Sequence, residues 1–289
     1  MAEISAGAVK ELRERTGAGM MECKKALTEA NGDAEKAVTL LRERGLAKAA
    51  KREGRASNEG TVAIALTGEA GAIVEIGCET DFVARTDEFQ QFARKLAAVA
   101  AQTGAETGEA LGAATLDGES VAQRIGAVAS KLGENVVCKR VARLAVPGGL
   151  VGGYVHAGGK LGVLVSLRTT ARGAVAEAIA KEVSMHVAAA DPSPLALDRS
   201  GVPADLLARE RELFAKQAAQ TGKPEKVIEK IVEGRINKFY AEVCLLEQPF
   251  VMNPDQSIGQ MLAQKGKELG ADVAVTGFVR FRLGTPGEA

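Results

Sequence analysis

Two stretches of this chain are written in the same pattern, and that repetition restricts the fold more than any single motif. Gly68 and Gly71 correspond to Gly159 and Gly162 at an offset of 91 residues, 71 to 162. At the same offset Ile73-Val74-Glu75-Ile76 falls on Leu164-Val165-Ser166-Leu167, and Leu96-Ala97-Ala98 falls on Val187-Ala188-Ala189. Further on, Leu132-Gly133 and Arg143 correspond to Leu269-Gly270 and Arg280 at an offset of 137, 132 to 269. The offsets differ by 46, so the second copy carries about 46 additional residues. Self-similarity of this kind marks duplicated supersecondary units. Each copy reads as ββα…αβ.

Periodicity fills in the first copy. Thr61–Thr67 and Ala72–Cys78 are strand-like runs joined by a glycine-rich hairpin at Gly68–Gly71. A helix is expected over Asp87–Gln102, and then a Gly, Ala and Thr-rich stretch of low complexity, Thr103–Gly118. A second helix spans Glu119–Leu132, and a strand closes the unit over Asn135–Val146. Pro147-Gly148-Gly149 and Gly158-Gly159 lie between strand-like runs with no helix start after them, so they read as turns rather than phosphate cradles.

The extra residues of the second copy lie between about Asp191 and Gln248. Pro203–Gln220 and Glu225–Leu245 are helix-like, and Thr221-Gly222-Lys223-Pro224 between them is a tight turn with proline at a helix start. An antiparallel helical hairpin follows. Its expected seam sets Val227, Ile231 and Ile236 against Leu206, Leu207, Leu213 and Phe214. Ahead of the duplication, Ala8–Arg15, Met20–Ala30 and a run from Asp33 to about Gly45 are three short helices, broken at Gly17-Ala18-Gly19 and Asn31-Gly32. The fold class is therefore α+β. A three-helix module covers residues 1–55, core subdomain one 56–147 and core subdomain two 148–289, with the hairpin inserted at about 191–248.

Composition excludes more than it assigns. Lys+Arg and Asp+Glu both total 37, so a general binder of nucleic acid or membrane is not expected. The basic run Lys48, Lys51, Arg52, Arg55 reads mainly as a solvated helix face, with RNA as its functional alternative. Cys23, Cys78, Cys138 and Cys244 form no CxxC pair and read as buried thiols in a reducing compartment. No leader or membrane span is legible, which points to the cytoplasm. With His156 and His186 the only histidines, and no GxSxG, HExxH or Walker A pattern, no cofactor, metal or covalent chemistry is expected.

One segment stands apart. Glu79-Thr80-Asp81-Phe82-Val83-Ala84-Arg85-Thr86 joins a strand to a helix, and such turns are exposed. Asp81 can cap the helix while Phe82 folds back as a staple. Alternatively, Phe82 is a wedge for a partner. Spacing alone leaves both readings open.

Val9-Lys10-Glu11-Leu12-Arg13-Glu14-Arg15-Thr16-Gly17-Ala18-Gly19-Met20-Met21, followed by Cys23-Lys24-Lys25-Ala26-Leu27, resembles the N-terminal signature of the elongation factor Ts family. Thr80-Asp81-Phe82-Val83-Ala84 resembles its second signature. Collinear agreement continues through Tyr154-Val155-His156, Met185-His186-Val187-Ala188-Ala189, Gly222-Lys223-Pro224, Val232-Glu233-Gly234-Arg235 and Gln248-Pro249-Phe250-Val251. The resemblance implies a ubiquitin-associated-like N-terminal module, a duplicated core and a hairpin insertion. It implies guanine-nucleotide exchange on the translational GTPase elongation factor Tu, bound with GDP and nucleotide-free. By resemblance, Thr80, Asp81, Phe82 and Val83 disturb the GTPase's magnesium site. Val9, Lys10, Leu12, Arg13, Met20 and His156 contact the partner, and the hairpin adds a peripheral contact. Some members continue into a C-terminal helix. No such helix is expected after Leu283–Ala289, and a homodimer is a second expected association. The competing function is a passive adaptor, or an RNA-binding module, docking through the N-terminal bundle.

Overall fold

The computed structural model describes residues 4–52 and 54–285, without the side chains of residues 46–52. The chain divides into two units, Met1–Ala63 with Val74–Val141, and Ile64–Ile73 with Ala142–Ala289.

The first unit opens with α1 (Ala6–Thr16), α2 (Met20–Glu29) and α3 (Ala34–Arg52). Ser5 starts α1 by accepting the Ala8 N–H at 3.1 Å, and Gly17 ends it in the left-handed region at φ 67°. Val9, Leu12, Cys23, Ala26, Leu27, Ala30, Ala37 and Leu41 form the small core of this bundle. The basic run Lys48, Lys51, Arg52 lies outside the described side chains. Arg55 is described, and it reaches Glu79 at 3.5 Å.

A three-stranded sheet follows, in the order β1 (Glu59–Leu66), β2 (Ala70–Cys78), then the later strand β5 (Val137–Ala145). Between β2 and β5 run α4 (Asp81–Ala84), α5 (Asp87–Thr103), α6 (Gly108–Ala113), β3 (Thr115–Leu116), β4 (Glu119–Ser120) and α7 (Val121–Leu132). Thr86 caps α5, which buries Phe89, Phe92, Ala93, Leu96, Ala97 and Ala100. The stretch read as low complexity is ordered into α6 and the β3–β4 hairpin. Thr107 caps α6 and Leu111 anchors it in the core. Asp117 (φ 52°) and Gly118 (φ 83°) turn the hairpin, the Asp-Gly pair suited to two positive φ values.

The second unit repeats the plan with β6 (Leu150–Val155), β7 (Leu161–Thr169), α8 (Ala174–Ala189), α9 (Ala204–Ala219), α10 (Glu225–Val243), β8 (Pro249–Phe250), β9 (Asn253–Ser257), α11 (Ile258–Leu269) and β10 (Val273–Arg282). Its sheet order, β10-β7-β6, matches β5-β2-β1. The likeness extends to helix ends. Ser120 with Gln123 starts α7 through a capping box, and Ser257 with Gln260 starts α11 in the same way. Gly133 and Gly270 end those two helices in left-handed conformation. Val163, Val165, Leu167, Ile179, Val183, Val187, Ile258 and Met261 are the centre of the second core. Here α8 lies so close to β6 that a Cβ on Gly152 would sit 2.3 Å from that of Ala180.

The hairpin α9–α10 is present, but its seam differs from the expectation. Ala218, Val232 and Ile236 are its buried residues, with Leu207, Phe214, Ile228, Ile231 and Tyr240 packed against them. Val227 and Leu213 are exposed at 41% and 47%. Ile228, Val232, Ile236 and Tyr240 lie on one i, i+4 row, and Val227 is one residue off it. Among the described residues no helix is long and apolar enough to cross a membrane.

At the root of the hairpin His186 is buried. Its Nε2–H donates to Gln248 Oε1 at 3.0 Å, and its Nδ1 accepts the Val251 N–H at 3.3 Å. The Gln248 amide nitrogen donates in turn to the Pro192 and Glu242 carbonyls at 3.0 and 2.7 Å. Burial lowers the His186 pKa, against a smaller raising effect of the Gln248 hydrogen bond. The unfolded chain therefore binds the extra proton first as pH falls below about 6.5, and stability rises with pH through that window. Urea unfolding is expected to show lower stability at pH 5.5 than at pH 7.5. A His186→Gln variant, less stable at both, should lose that component of the difference.

Candidate functional site

The Glu79–Thr86 segment forms the α4 turn and the start of α5. Thr80, not Asp81, is the N-cap: its Oγ1 accepts the Val83 N–H at 3.4 Å. That shifts Asp81 to the first helical position and Phe82 to the second, which faces away from the core. Phe82 is 81% exposed, so the staple reading fails. Thr80 and Val83 are partly buried beside it, and Asp81 Oδ2 pairs with the Arg85 guanidinium at 2.9 Å.

The turn beneath Phe82 is held from several sides. Glu134 Oε2 accepts the backbone N–H groups of Glu79 and Thr80, each at 3.0 Å, and Glu134 Oε1 accepts the Thr80 hydroxyl proton at 2.5 Å. The Asn135 N–H donates to Glu79 Oε1 at 2.7 Å, and the Asn135 side-chain amide donates to the Arg55 carbonyl at 2.9 Å. The Cys78 thiol donates to the Thr80 carbonyl at 3.2 Å. Burial, with the Glu134 charge second, pushes that thiol's pKa up to about 12, so it is a structural donor and not a nucleophile. Cys23 and Cys244 are likewise buried, whereas Cys138 is only half-buried.

The remaining predicted residues separate by burial. Val9 and Leu12 are 6% and 2% exposed, inside the N-terminal bundle. Their i, i+3 spacing makes them the core stripe of α1, so neither is available at the surface. Lys10 and Arg13 are exposed on α1, Lys10 beside Glu14 at 3.9 Å and Arg13 one turn on from Val9 at the edge of the core stripe. Met20 is 50% exposed at the start of α2, next to the more exposed Met21. His156 is exposed in the turn after β6, and its Nδ1 lies 3.0 Å from the Tyr154 hydroxyl. Thr80, Asp81, Phe82 and Val83 thus share one turn, the N-terminal residues lie on α1 and α2 of the same unit, and His156 belongs to the second unit.

Sequence reasoning missed Glu134, Asn135 and the Arg55–Glu79 link. A signal was present: in the second copy, at the offset of 137, Glu134 falls on Ala271, a break in the repeat.

Leu12→Ala should cost about 2–5 kcal/mol in the bundle, as large-to-small core changes do. Lys10→Ala should change stability by less than about 0.5 kcal/mol. Urea denaturation of both variants distinguishes core from surface positions on α1.

The family model described as Elongation factor TS matches residues 79–285. An Elongation factor Ts from Paramagnetospirillum magneticum is 50% identical over 98% of this chain and 92% of its own length. One from Agrobacterium fabrum is 49% identical over 98% and 94%, and one from Clostridium perfringens 48% identical over 97% and 93%. Identity at this level over more than nine-tenths of each chain, with a family model that spans the Thr80–Ala84 turn and most of the duplicated core, shows that the chain belongs to the elongation factor Ts family of translation elongation.

Proposed function

We propose that this protein accelerates GDP release from elongation factor Tu by driving Phe82 into the GTPase domain and displacing the groups that hold its magnesium ion. The observation that carries this reading is an 81% exposed phenylalanine on a turn fixed by Glu134 and Thr80. An aromatic side chain left in water is unfavourable unless it has a use, and a rigid aromatic is the usual anchor of an interface.

A GTPase retains its nucleotide through phosphate contacts and a bridging Mg²⁺. Loss of the metal leaves phosphate charge uncompensated, and release speeds up. Asp81, oriented by Arg85, adds a carboxylate to the same approach. Lys10, Arg13 and Met20 supply a surface contact to the nucleotide-binding domain. Val9 and Leu12 act through the bundle they hold together. His156 makes a second contact, and the tip of α9–α10 a peripheral one. None of these steps requires a covalent bond to form in this protein.

The factor must bind the empty GTPase better than the loaded one, and by linkage it weakens GDP by the same ratio. A hundredfold ratio corresponds to about 2.7 kcal/mol, within reach of one aromatic anchor and its neighbours. The test is calorimetric titration of the factor into nucleotide-free and GDP-loaded elongation factor Tu. The expected result is at least about hundredfold tighter binding to the empty form. Equal affinities would point instead to a passive adaptor.

A further inference from the structure

We propose that Glu134 is a positioning residue for exchange: its carboxylate fixes the direction in which the α4 turn presents Phe82. The inference deepens the functional reading above and rests on it.

The geometry is specific. One carboxylate takes the two consecutive N–H groups of Glu79 and Thr80 on one oxygen and the Thr80 hydroxyl on the other, at 3.0, 3.0 and 2.5 Å. Those three donors belong to the residues that lead directly into Phe82. Thr80 then passes the constraint on, because the hydroxyl that donates to Glu134 also accepts the Val83 N–H and caps α4. Charge-assisted bonds to backbone N–H groups are roughly twice as strong as neutral ones. The following residue, Asn135, holds the Glu79 carboxylate and the Arg55 carbonyl. The clamp therefore spans the end of β2, the α4 turn and the segment that leaves the N-terminal bundle.

The duplication shows that the fold does not need this arrangement. At the offsets of the repeat, Ala171, Arg172 and Gly173 stand where the first copy has Thr80, Asp81 and Phe82, and Ala271 stands where it has Glu134. The second copy nevertheless builds the same strand order, and its α11 carries the same capping box and left-handed glycine end as α7. There the helix after the central strand, α8, is continuous from Ala174, without the break that sets α4 apart from α5. Acceptor and aromatic occur together in one copy and are both missing from the other. That pairing is what a support for Phe82 requires.

The test is a double-mutant cycle read as the maximal rate of fluorescent GDP release from elongation factor Tu at saturating factor, using the full chain. Glu134→Ala should lower that rate about tenfold, since functional groups need placement within about 0.5 Å. Added to Phe82→Ala it should lower the rate less than about twofold further, because a positioning residue has nothing left to position. Glu134→Gln, which keeps two acceptor lone pairs for the N–H groups and can donate to the Thr80 hydroxyl, should stay within about threefold of the parent. Should Glu134→Ala fail to fold by circular dichroism, Glu134→Asp takes its place. One methylene shorter, it cannot reach all three donors and should lower the rate at least about threefold in the parent but not in the Phe82→Ala background. Additive losses, or full activity in Glu134→Ala and Glu134→Asp while Phe82→Ala is impaired, would overturn the role of Glu134. Full activity of Phe82→Ala would overturn the wedge reading itself, and the role of Glu134 with it.

Discussion

Phe82→Ala is expected to lower the maximal acceleration of GDP release at least about tenfold at saturating factor, while shifting the melting temperature by less than about 2 °C. The two halves of this expectation have one cause. With 81% of its surface exposed, Phe82 contributes little to folding, so truncation opens no cavity. Its whole apolar face is available to a partner, and a tenfold loss is about 1.4 kcal/mol, below the 2 kcal/mol or more typical of a hot spot. Saturating factor is the informative condition. A side chain that only adds uniform affinity would change the half-saturating concentration and leave the maximum alone. Stopped-flow release of fluorescent GDP, with thermal melts of the same samples, checks both halves.

A large loss of stability is expected from a buried charge in the first sheet. Glu75 lies on the central strand β2 with its side chain 2% exposed, bound by Arg140 through Nε at 2.8 Å and through a second guanidinium nitrogen, with Lys139 at 3.9 Å. The second copy solves the same position differently: Ser166 bonds to the Thr276 hydroxyl at 2.9 Å and to the Gly277 carbonyl at 3.2 Å. Thr276 and Gly277 are the repeat counterparts of Lys139 and Arg140, by the offset of 137. One copy thus builds an ion cluster around its buried Glu75, where the other holds a buried Ser166 hydroxyl against an exposed threonine. Removing one member of a buried pair strands the other charge and costs about 3–5 kcal/mol. Because Arg140 is itself 17% exposed, the lower end of that range is expected for Glu75→Ala. Combining it with Arg140→Leu should recover at least about 1 kcal/mol, since the guanidinium that has lost its Glu75 carboxylate is then gone. Urea unfolding of the two single variants and the double variant measures this. A double variant no more stable than Glu75→Ala would contradict the ion-cluster account.

The duplicated architecture was legible because its signals are local and repeated: the glycine turns, the left-handed caps at Gly133 and Gly270, and the apolar strands around Val74 and Val165. What escaped reading depended on tertiary context. Val227 and Leu213 have the residue type of a seam, but only the packed hairpin reveals which helical row faces inward, and that row holds Ile228, Val232 and Ile236. Val9 and Leu12 carry the family's signature in sequence yet sit in the bundle core, because a motif mixes residues that touch a partner with residues that shape the surface. The α6 and β3–β4 pieces were hidden in a Gly and Ala-rich stretch whose only strong signal was Asp117-Gly118. At the site, the exposed turn could be read from the strand-to-helix junction, but spacing did not decide whether Phe82 folds back or faces water. The shift of the cap from Asp81 to Thr80 could not, because it depends on Glu134, more than fifty residues away in sequence. Long-range hydrogen bonds to a loop leave no periodic trace.

The most direct measurement is stopped-flow release of fluorescent GDP from elongation factor Tu across a concentration series of the intact protein. The account predicts a release rate that rises with factor concentration to a plateau at least about a hundredfold above the spontaneous rate, the ratio that about 2.7 kcal/mol of differential contact supplies. A release rate unchanged by saturating factor, with binding verified in the same samples, would contradict it.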